Sequence, residues 1–160
     1  MKKQMTKKSV KTALNLDIKP KLYILMRSDL DSLNMGKGIA QGSHASTAFS
    51  ERIWKRMLKM TPAQRSADMH CQAYLKWSDG RGFGTVITKD GKNDITIQSA
   101  VREAGKNDYF ADLVYDPSYP IKDGLVTHHI HLMTCGYIFD HLGTIHTMMP
   151  MFRNLELYSK

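Results

Sequence analysis

Residues 21–46 read KLYILMRSDLDSLNMGKGIAQGSHAS, and the way this stretch divides decides the fold. Lys21 to Ser28 is a short apolar run rich in strand formers, the pattern of a buried strand. Asp29 to Gly38 reads as a loop. From Ile39 to about Met60 a helix fits, with Ala40, Ser43, Ala48, Ile53, Trp54, Met57 and Leu58 as its approximate inner face. A strand therefore ends, a glycine-flanked lysine follows, and a helix begins. In open α/β sheets, binding sites collect at such junctions.

The rest of the chain extends this pattern. Thr61-Pro62-Ala63-Gln64 is a helix start, with Thr61 as cap, Pro62 in the first turn and Gln64 as capping-box partner. That helix is expected to reach Trp77. Phe83 to Thr88 reads as a second strand, closed by Asp90-Gly91. Asp94 to Ala104 reads as a helix stopped by Gly105. Tyr109 to Tyr115 is a third strand, and Asp116 to Gly124, with two prolines, a loop. Leu125 to Tyr137 is the longest strand. Asp140 is placed to cap a last helix that ends near Pro150. The alternation argues for an α/β sandwich, with a mostly parallel sheet between helices.

Composition sets the outer limits. The chain has 160 residues, 42 % of them hydrophobic, which suits one domain with an ordinary core. No run of about 18 apolar residues occurs, so no membrane span is expected. Cys71 and Cys135 form no disulfide or metal pattern, which fits a reducing, cytoplasmic setting. Net charge is +8, and residues 1–21 hold seven lysines against one aspartate. Residues 1–20 are therefore expected to be a flexible basic arm able to contact polyanions, with residues 21–160 forming the α/β domain.

Lys37, Gln41 and His44 fall at i, i+4 and i+7, one face of a helix. A lysine at a helix start adds its charge to the positive end of the dipole, which favours an anion or a developing oxyanion. Gly36 and Gly38 allow close approach to the backbone. Gln41 can hold a water or a carbonyl. His44 reads as a base or, on a sheet-packed helix, as a hydrogen-bonded core residue. Asp116, at a strand end, can orient a water or take its proton. His129 and His131 share a strand face, but two ligands with no carboxylate in register are too few for a metal site. Met148, Met149 and Met151 read as core packing. A two-histidine phosphoesterase would need a second His-x-Ser/Thr beside His44-Ala45-Ser46, and none occurs.

These pieces together resemble the second, archaeal and eukaryotic, class of peptidyl-tRNA hydrolases. Gly36 to Ala45 matches that family's GKxAAQxxHA segment without a gap. Arg27-Ser28-Asp29-Leu30 resembles the preceding strand end. Ala104-Gly105, Leu113-Val114-Tyr115-Asp116 and Val126-Thr127 resemble its later signature. The resemblance spans roughly residues 21–140. It implies a three-layer α/β/α sandwich with a four-stranded mixed sheet, and hydrolysis of the ester joining a peptide to the 3′ ribose of tRNA. It implies Lys37, Gln41, Asp116 and Thr127 as catalytic positions, with Gly36, Gly38, His44, Ser118 and Tyr119 around the substrate. No metal or cofactor is implied. tRNA is the implied partner, no membrane is involved, and a homodimer is allowed. The family's DAGRTQ pattern is replaced here by Asp116-Pro117-Ser118-Tyr119-Pro120, so Ser118 or Tyr119 would stand in for a threonine. That substitution keeps open an alternative, a non-catalytic tRNA- or protein-binding module on the same fold.

Overall fold

The computed structural model describes residues 18–79 and 81–159, so all but the last three residues of the expected basic arm lie outside the described residues. Strands β1 (Lys21–Arg27), β2 (Val86–Lys92), β3 (Phe110–Asp123) and β4 (Val126–Asp140) form one sheet in the order β2-β1-β4-β3. β1 runs parallel to β2 and antiparallel to β4, and β4 runs antiparallel to β3. The sheet is thus mixed. The mostly parallel sheet inferred from alternation is corrected, because β3 and β4 form one long hairpin and β4 inserts beside β1.

β1 is buried on both faces, as its continuous apolar run requires. Leu22, Ile24 and Met26 pack with Ala45 and Phe49 of helix α1 (Met35–Leu58) and with Ala73 and Trp77 of α3 (Met69–Ser78). Tyr23 and Leu25 face Ile97, Ala100 and Ala104 of α4 (Asp94–Lys106), together with Phe152 and Leu155 near the C-terminus. Helices therefore lie on both faces of the sheet. Gly136 of β4 lets α4 sit close, since a Cβ there would come within 2.8 Å of Ile97 Cγ2.

Several boundaries differ from the sequence reading. α1 begins at Met35 rather than Ile39, because the Asn34 side chain caps it by accepting from Lys37 N at 3.0 Å. Its buried stripe is Gln41, Ala45, Phe49, Ile53 and Met57, a strict i, i+4 row. Trp54 and Leu58, expected inside, are exposed. The capping box at Thr61 and Gln64 forms, but the helix it starts, α2 (Pro62–Ala67), stops at Asp68. Asp68 caps α3 afresh by accepting from Cys71 N. α4 is capped by Asn93 rather than Asp94 and continues through Gly105.

β2 starts later than expected and runs through Asp90-Gly91, which forms a bulge opposite Met26 and Arg27 instead of a closing turn. The segment expected as a loop, 116–124, is strand up to Asp123. β3 is an edge strand, where proline is tolerated. Pro117 lies in a second irregularity, between Asp116 and Tyr119. The carbonyl of Pro120 points away from β4 to a side chain on α1, so its missing N–H faces outward too and costs no ladder bond. Gly124 turns the hairpin at φ +58°. After β4, the Asp140 carboxylate accepts from Thr144 N (3.0 Å) and Ile145 N (3.3 Å) and caps the short helix α5 (Ile145–Met148). A 3₁₀ turn, Pro150–Asn154, follows, and Leu157 pairs with Lys89 along the outer edge of β2. Met149 is buried as expected, whereas Met148 is exposed.

Candidate active site

The first turn of α1 lies over the second half of β3. Lys37 Nζ donates to the Pro120 carbonyl at 2.8 Å and sits 4.9 Å from the centroid of the Tyr119 ring. That ring is fully buried, and its hydroxyl pairs with Ser32 Oγ at 3.1 Å. The ammonium is therefore held by a carbonyl and an aromatic face, both favourable to a cation. One of its three N–H groups is used on Pro120.

One helical turn further along α1, Gln41 Nε2 donates to Asp116 Oδ2 at 2.7 Å. Thr134 Oγ1 donates to Gln41 Oε1 at 2.6 Å, and Ser118 N donates to Asp116 Oδ1 at 2.9 Å. Gln41 is only 2 % exposed. Burial pushes the Asp116 carboxyl up, but the bonds from Ser118 N and Gln41, with His44 and His129 nearby, outweigh it. The net pKa is below the ordinary carboxylate value. Asp116 is ionised, with each oxygen already accepting a bond, so it is a weak base and a strong electrostatic anchor.

Thr134 owes its position to a bulge. Val114 pairs with Cys135 and Tyr115 with Met133, leaving Thr134 as the extra residue on β4. Met133 accordingly packs on the α4 face and Cys135 on the α1 face. The bulge turns the threonine hydroxyl onto the α1 side, where strict alternation from Met133 and Cys135 gives no such orientation. This residue was missed at the sequence level, and no spacing rule reveals it.

An open pocket of about 760 Å³ adjoins these groups. Its wall includes Asp29, Ser32, Asn34, Lys37, Pro120 and Thr127. Lys37 of α1 and Thr127 of β4 thus line one cavity. Gln41 and Asp116 lie outside that wall, in the buried chain behind it. His44 is exposed rather than built into the core, and close enough to Asp116 to act on its charge. Gly36 is exposed in the first turn, and a Cβ at Gly38 would lie 3.6 Å from Tyr158 Cε1. Ser118 is exposed, with its hydroxyl 3.1 Å from His129 Nδ1. His131 stacks on Tyr115. Cys71 and Cys135 are free and buried. Among the described residues no helix is long and apolar enough to cross a membrane.

A search of curated proteins returns no match. The family model described as peptidyl-tRNA hydrolase PTH2 matches residues 20–129, from the approach to β1 into the first residues of β4. That segment holds Lys37, Gln41, Asp116 and Thr127 and covers more than half of the chain; the protein belongs to the peptidyl-tRNA hydrolase PTH2 family.

Proposed function

We propose that the protein hydrolyses the ester between a peptide, or an N-blocked amino acid, and the 3′ end of tRNA, releasing free tRNA, with no metal in the reaction. The observation that carries this reading is the Lys37 ammonium, fixed by Pro120 and Tyr119 at the wall of an open pocket. Water adds to the ester carbonyl, the bond to the ribose oxygen breaks, and that oxygen leaves with a proton. Lys37 offers its remaining N–H groups to the oxyanion or to the departing oxygen. Thr127, lining the same pocket, orients the substrate. The Asp116 carboxylate orients the water, and Gln41 acts through Asp116 as a positioning residue. Gly36, His44 and Ser118, exposed around this region, are the proposed contacts to the tRNA end, while Gly38 and Tyr119 support the turn and its lysine. This reading takes residues 21–160 as the catalytic domain and residues 1–20 as a basic arm on the tRNA phosphates, acting in the cytoplasm.

The test is release of N-acetylated amino acid from charged tRNA. The wild type is expected to turn over, and Lys37→Ala to lose about 100-fold or more in kcat. No turnover, or turnover indifferent to Lys37, refutes the reading. The engagement of both Asp116 oxygens favours a second reading, a tRNA-binding module without catalysis. It predicts salt-sensitive tRNA binding with no ester cleavage.

A further inference from the structure

At the far end of β4, roughly 20 Å along the strand from Thr134, three side chains from distant segments converge. His70 comes from α3, Asp108 from the turn between α4 and β3, and His141 from the residue just after β4. One ligand atom from each lies within 4.8 Å of the others. The two imidazole rings lie with centroids 4.3 Å apart.

His141 is the observation that requires an explanation. It is 1 % exposed, and neither ring nitrogen makes a sound hydrogen bond. The Phe139 carbonyl acts on the ring without completing such a bond. A buried imidazole with both nitrogens unpaired is costly and rare. The chain beside the ring is anchored, because the neighbouring Asp140 carboxylate accepts from Thr144 N and Ile145 N at the start of α5. His70, by contrast, has one nitrogen engaged. Its Nε2 lies 2.7 Å from the Asp108 carbonyl, which accepts, so the proton sits on Nε2 and the lone pair on Nδ1. A metal-bound histidine characteristically donates its other N–H in this way.

We propose that His70, Asp108 and His141 form a binding site for one divalent transition-metal ion of the zinc type, separate from the Lys37 pocket. Two imidazoles and a carboxylate are ordinary zinc ligands. Bonds of about 2.1 Å put tetrahedral neighbours about 3.4 Å apart, so atoms that now lie within 4.8 Å of one another draw in by up to about 1.4 Å when the ion binds. Asp108 is exposed, which leaves the ion a route in and a fourth position for water. The ion ties α3 and the α4–β3 turn to the end of the sheet, and its role is structural. The expectation of no metal rested on the strand histidines His129 and His131 and on the family resemblance, neither of which bears on this end of the sheet. The converging groups were hidden because they share no short sequence spacing.

The experiment is calorimetric titration of chelator-stripped full-length protein with Zn²⁺, with Co²⁺ absorption reporting tetrahedral coordination. One Zn²⁺ per chain is expected, with a Kd of about 1 μM or tighter and a raised Tm. His141→Ala and Asp108→Asn are each expected to weaken binding by about 100-fold or more. Asp108→Asn keeps the test valid if His141→Ala fails to fold. Its side chain is exposed, and asparagine tolerates the left-handed conformation, φ +60°, found there. His129→Ala is expected to leave binding unchanged. Absence of stoichiometric binding, or binding abolished by His129→Ala and indifferent to Asp108→Asn, overturns the proposal.

Discussion

Gln41 Nε2 donates to Asp116 Oδ2 at 2.7 Å while Gln41 Oε1 accepts from Thr134 Oγ1 at 2.6 Å, so a single buried amide links the carboxylate to the bulge in β4. The threonine hydroxyl decides which way the amide faces. Thr134→Val keeps the shape and leaves the Gln41 oxygen buried without a donor. A loss of about 1–3 kcal/mol is expected in urea denaturation. Freed to rotate, the amide no longer holds Asp116, so kcat is expected to fall more than KM rises. Thr134→Ser, which keeps the hydroxyl, is expected to restore both. Unchanged kcat in Thr134→Val would show that the chain positions nothing.

The Asp116 carboxylate makes a prediction in pH. Burial raises its pKa, but Ser118 N, Gln41 and the two nearby histidines lower it further, so the net shift is downward. A depressed folded value means that the charged form stabilises the fold at every pH above the unfolded value of about 3.9. That stability is lost only as the pH falls through the still lower folded value. The kcat/KM profile is therefore expected to show no Asp116 limb between about pH 8 and 5. Asp116→Asn is expected to lower activity across that range without changing the shape of the curve. An acid limb near pH 5 that the substitution removes would contradict this assignment.

Much of the fold was legible where the signal is local. β1 announced itself by an unbroken apolar run, and the Thr61–Gln64 capping box formed as read. The direction of the strands was not legible from the alternation of elements, because β4 enters between β1 and β3 only through long-range pairing; the mixed sheet came from the family resemblance alone. The prolines at 117 and 120 suggested a loop, but an edge strand absorbs both. The face of α1 was misjudged because Trp54 and Leu58 are apolar yet exposed. At the site, Lys37, Gln41 and Asp116 could be named from residue type and motif. The Pro120 carbonyl and the bulged Thr134 could not, since one is backbone and the other depends on a register shift.

Tyr119 separates two supports of Lys37. Tyr119→Phe removes the hydroxyl that pairs with Ser32 but keeps the ring beneath the ammonium. A cost of about 1 kcal/mol in stability and near wild-type kcat are expected. Tyr119→Leu removes the ring itself. It forfeits about 0.5–2 kcal/mol of cation–π attraction and loosens the lysine, so kcat is expected to drop well below that of Tyr119→Phe. Equal kcat in the two variants would mean that the Pro120 carbonyl alone holds the ammonium.

Asn34 links helix capping to chemistry. Its side chain accepts from Lys37 N at 3.0 Å, so the residue that starts α1 also fixes the backbone of the lysine at the pocket. Asn34→Ala removes the cap and is expected to cost about 1 kcal/mol. Asn34→Asp keeps an acceptor and adds a charge favourable to the helix dipole, so stability is expected to be kept or raised. The two variants should part from each other in activity as well. A frayed first turn lets Lys37 leave the Pro120 carbonyl, so Asn34→Ala is expected to lower kcat. Asn34→Asp retains the geometry but brings a carboxylate to a wall that already holds Asp29 and Asp31, so it is expected to raise KM for an anionic tRNA. Denaturation midpoints read beside kcat and KM distinguish the two effects, and a loss of kcat in Asn34→Ala without loss of stability would disconnect the cap from the lysine.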